Sequence, residues 1–370
     1  MATLVEELLQ YVHYHDGGVP GKRPILTGSR EKATFTSIPK VDMSRMFSKS
    51  LEDRKTVGKA CREVGFFYAL NHDVPDDVID HTFDAIAKFF ELPLDVKNEV
   101  NMRKSSRYRG YEPLLDIKLD PTTRGGENMS SLSETNLPGP NPSLIDLKEA
   151  FLMGDDPTDP EQEQLHPASA TKEPRNQWPS SPSAAFFRPA MYDYYFYLVT
   201  FSRQLLRLFA LALELPENYF DPITTAPLCS VRSIHYPPQE MSSDVGIGAH
   251  TDYSWFTLVC QQGTPGLEVL NENGIWVPAT PAPRSFVVNI GDFLKLITDG
   301  KWKSTVHRVR NVTGDHRYSM PFFFSPDEDS KISVLPRFRE NDKAYEEIDI
   351  KKYYAERLNA ARRKNVSKQD

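Results

Sequence analysis

Helical and strand periods alternate along the first third of the chain, and the pattern shortens to strand length after residue 227. "LEDRKTVGKACREVG" reads as an amphipathic helix closed by Gly65. "PDDVIDHTFDAIAKFFEL" opens with Pro75 and acidic residues, which suit a helix N-terminus. It lines Val78, Phe83, Ile86, Phe89 and Phe90 along one face. Between these helices "FFYALNH" predicts a strand, and "IPKVDMSRM" predicts a short strand followed by a helix start. The N-terminal "MATLVEELLQYVHYHD" predicts a short amphipathic helix.

Residues 113–184 break this rhythm. "GPNPS" and "DDPTDPEQEQLHPASATKEPRNQWPSSPS" are rich in Pro and Ser and predict long surface loops, interrupted by one strand in "LIDLKEAFLMG". Loops of this length either cover a site or are disordered. "AAFFRPAMYDYYFYLVTFSRQLLRLFALALEL" then predicts a long helix with Tyr194, Tyr197, Leu198, Phe201, Leu205, Leu208 and Leu213 inward. Its tyrosines read as core filling rather than a cofactor box.

Beyond it come "LCSVRSIHY", "WFTLVCQ", "LEVLN", "IWVPAT", "SFVVNI", "STVHRVRN" and "YSMPFFFSP", separated by turn residues. Many short strands at regular spacing predict a sandwich or barrel, such as a double-sheet jelly roll. "IDIKKYYAERLNAARRKN" predicts a terminal helix.

The 370 residues are 39% hydrophobic and 11% aromatic, enough to fill a sizeable core. A net charge of −7 without long runs argues against a nucleic-acid surface and a polybasic membrane patch. No apolar run is long enough to span a membrane, and Glu6 and Glu7 fall where a signal peptide needs apolar residues. Cys61, Cys229 and Cys260 lie too far apart for a disulfide framework or a cysteine metal site. A cytoplasmic monomer is the expectation.

Polar residues interrupt this apolar text at three places. In "GIGAHTDYSWFTLVCQ", His250 and Asp252 stand two apart, so a strand pleat would turn both to one face. Alone, such a pair is weak evidence for metal. His307 in "KSTVHRVRN" supplies a third group, and two histidines with one carboxylate form the facial triad of non-haem Fe(II) oxygenases. In "HRYSMPFFF", Arg317 and Ser319 share a face, where an arginine beside so apolar a strand calls for a buried anion rather than a surface salt bridge. Tyr236 in "SIHYPP" could add a hydrogen bond to the same anion.

With these motifs in order, the chain resembles the iron(II)/2-oxoglutarate-dependent dioxygenases of the isopenicillin N synthase-like family. "REVGFFYALNHDVP", "FFELPLDVKNEV", "YRGYEP" and "NQWP" with Trp178 resemble the family's N-terminal part. "GLEVLNENGIWVPATPAPRSFVVNIGDFLKLITDGKWKSTVHRV" and "RYSMPFFFSPD" resemble its catalytic part. Asp73 stands where the family often has glycine.

The resemblance implies a mainly β fold with helical additions: a double-stranded β-helix (jelly roll, cupin-like) core flanked by helices. Residues 1–112 would be a helix and strand lead-in packing on the core. Residues 113–184 would be a long loop segment, 185–340 the oxygenase core with its preceding helix, and 341–370 a C-terminal helix and tail. It implies His250, Asp252 and His307 as Fe(II) ligands and Arg317, Ser319 and Tyr236 as contacts to 2-oxoglutarate. Dioxygen is the oxidant, and ascorbate would help in vitro. A small-molecule substrate is oxidised as 2-oxoglutarate becomes succinate and CO2.

Relatives with a similar Arg-x-Ser pair that use no 2-oxo acid leave a 2-oxoglutarate-independent oxidase open. "VRSIHYPPQ…GIGAHTDY" also resembles ethylene-forming enzymes, which fragment 2-oxoglutarate and hydroxylate L-arginine. There Arg232 matches an arginine near 2-oxoglutarate, and Tyr253 follows the metal aspartate. Ser319 departs from that group, whose bacterial members carry alanine. Arg109, Tyr111, Phe67, Trp255 and Tyr253 are the candidates for substrate contact, with core packing the competing role for each.

Overall fold

The computed structural model describes residues 10–16, 19–44, 50–114, 147–156, 158–159, 175–238, 246–311, 313–341 and 343–362. Most of the 113–184 segment, and with it the question of a lid, lies outside the described residues.

The chain opens with an antiparallel pair, β1 (Tyr11–Asp16) and β2 (Val19–Pro24). This corrects the expected helix over residues 11–16. Val12 and Tyr14 alternate toward an apolar cluster around Ala249, Leu270 and Val306, which needs a period of two. The Gly17-Gly18 pair after Asp16 is the sequence signal for a hairpin.

There follow β3 (Lys40–Asp42), α1 (Leu51–Glu63), β4 (Phe66–Leu70), α2 (Asp76–Glu91), α3 (Leu94–Glu99), β5 (Gly110–Glu112), β6 (Glu149–Gly154) and α4 (Phe187–Ala212). The catalytic half contributes β7 (Pro227–Tyr236), β8 (Ile247–His250), β9 (Phe256–Gln261), β10 (Leu267–Leu270), β11 (Trp276–Pro278), β12 (Ser285–Ile290), α5 (Asp292–Ile297), β13 (His307–Val309) and β14 (Arg317–Asp327). The chain closes with the short pair β15 (Lys331–Ile332) and β16 (Ile348–Asp349), then α6 (Ile350–Arg362).

Eight strands form one sheet in the order β3-β4-β12-β9-β14-β7-β6-β5, and four form a second in the order β11-β10-β13-β8. Residues 40–112 therefore supply three strands of the large sheet itself rather than a unit packed upon it. Alternation along each strand divides the large sheet into two faces. Phe256, Leu258, Phe286, Val288, Phe322 and Phe324 join α1, α2 and α4 in the main apolar core. Phe66, Tyr68, Ile234, Tyr236 and Val287 face the small sheet, meeting Leu267, Val269, Val277 and Val309. Two sheets closed over a shared interior make the jelly roll, and helices cover only the outer face.

α1 stops where expected. Gly65 takes a φ of +74°, and a Cβ there would collide with the Lys303 carbonyl. On α4, Tyr194, Leu198, Phe201, Leu205 and Leu208 are buried and Leu213 is buried just beyond its end, but Tyr197 is 44% exposed. Twenty-six residues of straight helix drift out of register with an approximate apolar stripe.

Candidate active site

His250 ends β8 and His307 begins β13, and the two are directly paired across the small sheet. Their rings lie 4.4 Å apart. Asp252 lies two residues beyond the end of β8, so the strand pleat does not aim its side chain. Two hydrogen bonds do so instead. Thr257 Oγ1 and Asn289 Nδ2 each donate to Asp252 Oδ2 at 2.7 Å, from the inner faces of β9 and β12. This leaves Oδ1 turned toward the imidazoles, 3.5 Å from His250 Nε2 and 3.7 Å from His307 Nε2. One ligand atom from each of the three residues lies within 4.8 Å of the others.

The remaining ring nitrogens are engaged. His250 Nδ1 is 2.7 Å from the Gly248 carbonyl and His307 Nδ1 is 3.2 Å from the Thr305 carbonyl. A carbonyl only accepts, so each Nδ1 carries the proton and each Nε2 presents a lone pair. Burial, reinforced by His250 beside it, pushes His307 down to about 4 and keeps it neutral near pH 7. Burial opposes ionisation of Asp252. The Thr257 hydroxyl donates to its carboxylate and favours the ionised form. Two neutral imidazoles and one carboxylate, with their second positions occupied by protein, fit a divalent iron.

Arg317 and Ser319 stand on the inner face of β14, with Arg317 paired to Tyr236 of β7. Arg317 is 1% exposed. Its guanidinium lies 4.8 Å from the Tyr236 ring centroid, donates to Gln261 Oε1 at 3.0 Å and lies 3.4 Å from Ser319 Oγ. Its buried Nε has no partner, and among the described residues its side-chain partners include no carboxylate. A buried guanidinium without a counter-ion is the feature an entering carboxylate completes.

The other candidates separate by face. Phe67 is fully buried against Phe209 on the helix side, while its neighbour Phe66 packs T-shaped on His307, with ring centroids 5.3 Å apart. Tyr111 also points to the helix side, packing on Phe89 and donating to Glu149 at 2.6 Å. The next residue, Glu112, turns inward to Arg232 and Lys148. Arg109 is held by the Met153 carbonyl and Asp155. Trp255 is buried between Phe220 and Phe293 in the main core. Tyr253 is half-buried, in contact with Tyr354 and Arg357 of α6.

The structure thus gathers His250, Asp252 and His307 at one point, with Arg317, Ser319, Tyr236 and Arg232 on the facing sheet. It sets Phe67, Trp255, Arg109 and Tyr111 among core and outer-face contacts. Thr257, Asn289, Gln261, Glu112, Lys148 and Phe66 escaped the sequence reading. Asn289 in "SFVVNI" carried a signal, a lone polar residue inside an apolar strand.

Residues 227–326 match the family described as the 2OG-Fe(II) oxygenase superfamily. Residues 38–181 match the one described as non-haem dioxygenase in morphine synthesis N-terminal. A 2-oxoglutarate-Fe(II) type oxidoreductase of Metarhizium rileyi is 33% identical, over 92% of this chain and 92% of that protein. The chain belongs to the 2OG-Fe(II) oxygenase superfamily.

A homoarginine-6-hydroxylase of Arabidopsis thaliana is 32% identical over 81% of this oxygenase and 88% of its own length. The crystal structure of a full-length Neurospora crassa protein in complex with alpha-KG matches with a TM-score of 0.72 at 27% identity, covering 87% of this chain and 96% of that one. The protein is an Fe(II)- and 2-oxoglutarate-dependent dioxygenase that oxidises small molecules, on a mainly β, cupin-like fold. No helix among its described residues is long and apolar enough to cross a membrane.

Proposed function

We propose that the enzyme is a hydroxylase in which His250, Asp252 and His307 hold the iron and Arg317, Ser319 and Tyr236 take the far carboxylate of 2-oxoglutarate. When bound, the iron would activate dioxygen, the four-electron oxidant, which takes two electrons from 2-oxoglutarate as it becomes succinate and CO2 and two from the substrate as it is hydroxylated. The chain's own residues orient and shield. Thr257 and Asn289 fix the carboxylate ligand, the Gly248 and Thr305 carbonyls fix the imidazole tautomers, and Phe66 covers one side of His307. The observation that carries this reading is the buried Arg317 without a counter-ion on the sheet facing the three convergent ligand atoms.

Purified enzyme with Fe(II), ascorbate, air and 2-oxoglutarate tests the reading. Homoarginine and L-arginine belong among the compounds offered, because relatives carry the name homoarginine-6-hydroxylase. Succinate without ethylene is the expected product, lost in Asp252→Ala. Ethylene in step with 2-oxoglutarate consumption would replace the hydroxylase reading, and full turnover by Asp252→Ala would remove the ligand assignment. Arg317→Gln should weaken 2-oxoglutarate binding by about 2–5 kcal/mol, the penalty for truncating one side of a buried charge pair. An unchanged affinity, measured by calorimetry on the Mn(II) form, removes Arg317 from that role.

A further inference from the structure

An arginine side chain has much rotational freedom to lose when it grips a ligand, so what holds it beforehand sets how tightly it binds. Arg317 is enclosed on several sides. Gly266, the residue before β10, forms a wall behind it: a Cβ there would stand 2.9 Å from Nε and 3.0 Å from Cδ. Gly266 is itself pinned, since its carbonyl accepts the Arg310 N–H at 2.9 Å. The Tyr236 ring covers another side, and Ser319 lies two residues along β14 with its Oγ near Nη1.

Gln261 completes the enclosure. It ends β9 directly opposite Ser319, and alternation with Thr257 and Val259 puts its side chain on the inner face. Its Nε2 donates to the Ala279 carbonyl at 3.0 Å. A carbonyl only accepts, so the amide nitrogen faces Ala279 and the amide oxygen is left for the Arg317 Nη2 hydrogen at 3.0 Å. Ala279 is fully buried just beyond β11 and donates its own N–H to the Leu267 carbonyl at 2.8 Å. Gln261 therefore ties the guanidinium of the large sheet to the backbone of the small one. The same end of the small sheet supplies both the wall at Gly266 and the anchor at Ala279.

The charge of this contact matters as much as its place. Gln261, Ser319 and Tyr236 are neutral, so each orients Arg317 without cancelling its charge. A glutamate of the same length would set one of the chain's own carboxylates on the guanidinium, where an entering carboxylate would have to displace it.

We propose that Gln261 is the positioning residue of Arg317: a neutral clamp that fixes the guanidinium between the two sheets and keeps its charge for the far carboxylate of 2-oxoglutarate. This deepens the hydroxylase reading and rests on its assignment of Arg317. Gln261 acts through Arg317 and not on the reacting atoms.

The test is calorimetric titration of the Mn(II)-loaded enzyme with 2-oxoglutarate and, in parallel, with oxalate, which chelates metal but has no far carboxylate. Gln261→Met keeps the side-chain length and removes both hydrogen bonds. Gln261→Asn is too short to reach Ala279 and Arg317 together. Each should bind 2-oxoglutarate about tenfold more weakly, and Mn(II) and oxalate as the wild type does. Gln261→Glu should lose about a hundredfold in 2-oxoglutarate affinity, because like charges then compete for one guanidinium. Wild-type 2-oxoglutarate affinity in both Gln261→Met and Gln261→Asn overturns the proposal. So does an equal loss of oxalate or Mn(II) affinity, which marks a merely structural role, or a Gln261→Glu protein that binds no more weakly than Gln261→Met. Arg317→Gln separates the two levels. If it binds 2-oxoglutarate as the wild type does, the underlying assignment of Arg317 fails. If it loses affinity while the Gln261 variants do not, only the clamp fails.

Discussion

Asn289→Ala tests how Asp252 is aimed. The substitution removes one of the two donors to Oδ2, the 2.7 Å bond from Asn289 Nδ2, and leaves the 2.7 Å bond from Thr257. A hydrogen bond to a charged group is worth about 1.5–3 kcal/mol. Partners behind metal ligands typically contribute about 10–100-fold in metal affinity. With Thr257 still in place the lower end applies, so Mn(II) affinity should fall about tenfold, or about 1.4 kcal/mol. Thr257→Val removes the other donor at nearly constant volume. The double variant should lose more than the sum of the two, because Oδ2 is then buried with neither donor and the carboxylate can rotate away. Mn(II) titration of metal-free protein, read by calorimetry, measures each affinity without turnover. Asn271→Ala is the control: Asn271 is a buried asparagine that braces the turn before β11 through Phe35, Asn273 and Ile275. It should lower the melting temperature and leave metal affinity alone. An Asn289→Ala protein that binds Mn(II) like the wild type, or an Asn271→Ala protein equally impaired, would refute the argument.

Two further outcomes follow from the face assignments and the buried charges. Phe66→Ala and Phe67→Ala should each destabilise the fold by about 3–5 kcal/mol in urea, but only Phe66→Ala, which strips the ring edge from His307, should also weaken Mn(II) binding. Equal effects on metal affinity would refute the placement of the two rings. Glu112 titrates at about 2 in the fold against 4.5 when unfolded, so its ionised form contributes on the order of 3 kcal/mol. That contribution is fully present above the unfolded value and is lost as pH falls from about 4.5 toward 2. Glu112→Gln should therefore flatten the fall of urea stability between pH 5 and 3, and identical slopes in the two proteins would count against the buried pairing.

What the sequence determined by itself are the residue types of the site and the strands that carry them. The His-x-Asp step, the lone histidine of "KSTVHRVRN" and the Arg-x-Ser step are local patterns, and alternation within a strand is a local property of the backbone. The tertiary structure alone decided phase and partnership. Neighbouring residues of a strand face opposite ways, and which of the two faces inward depends on what covers each side of the sheet. Hence Phe66 reaches His307 while Phe67 joins the helices, and Glu112 turns inward while Tyr111 does not. Asp252 lies past the end of its strand, so its aim comes from Thr257 and Asn289, on two other strands of the facing sheet. Arg232 meets a carboxylate 120 positions earlier in the chain, a pairing that exists only once β5, β6 and β7 lie side by side. Local periodicity can name the candidates for an interior. Only the closing of one sheet over the other selects which of them share it.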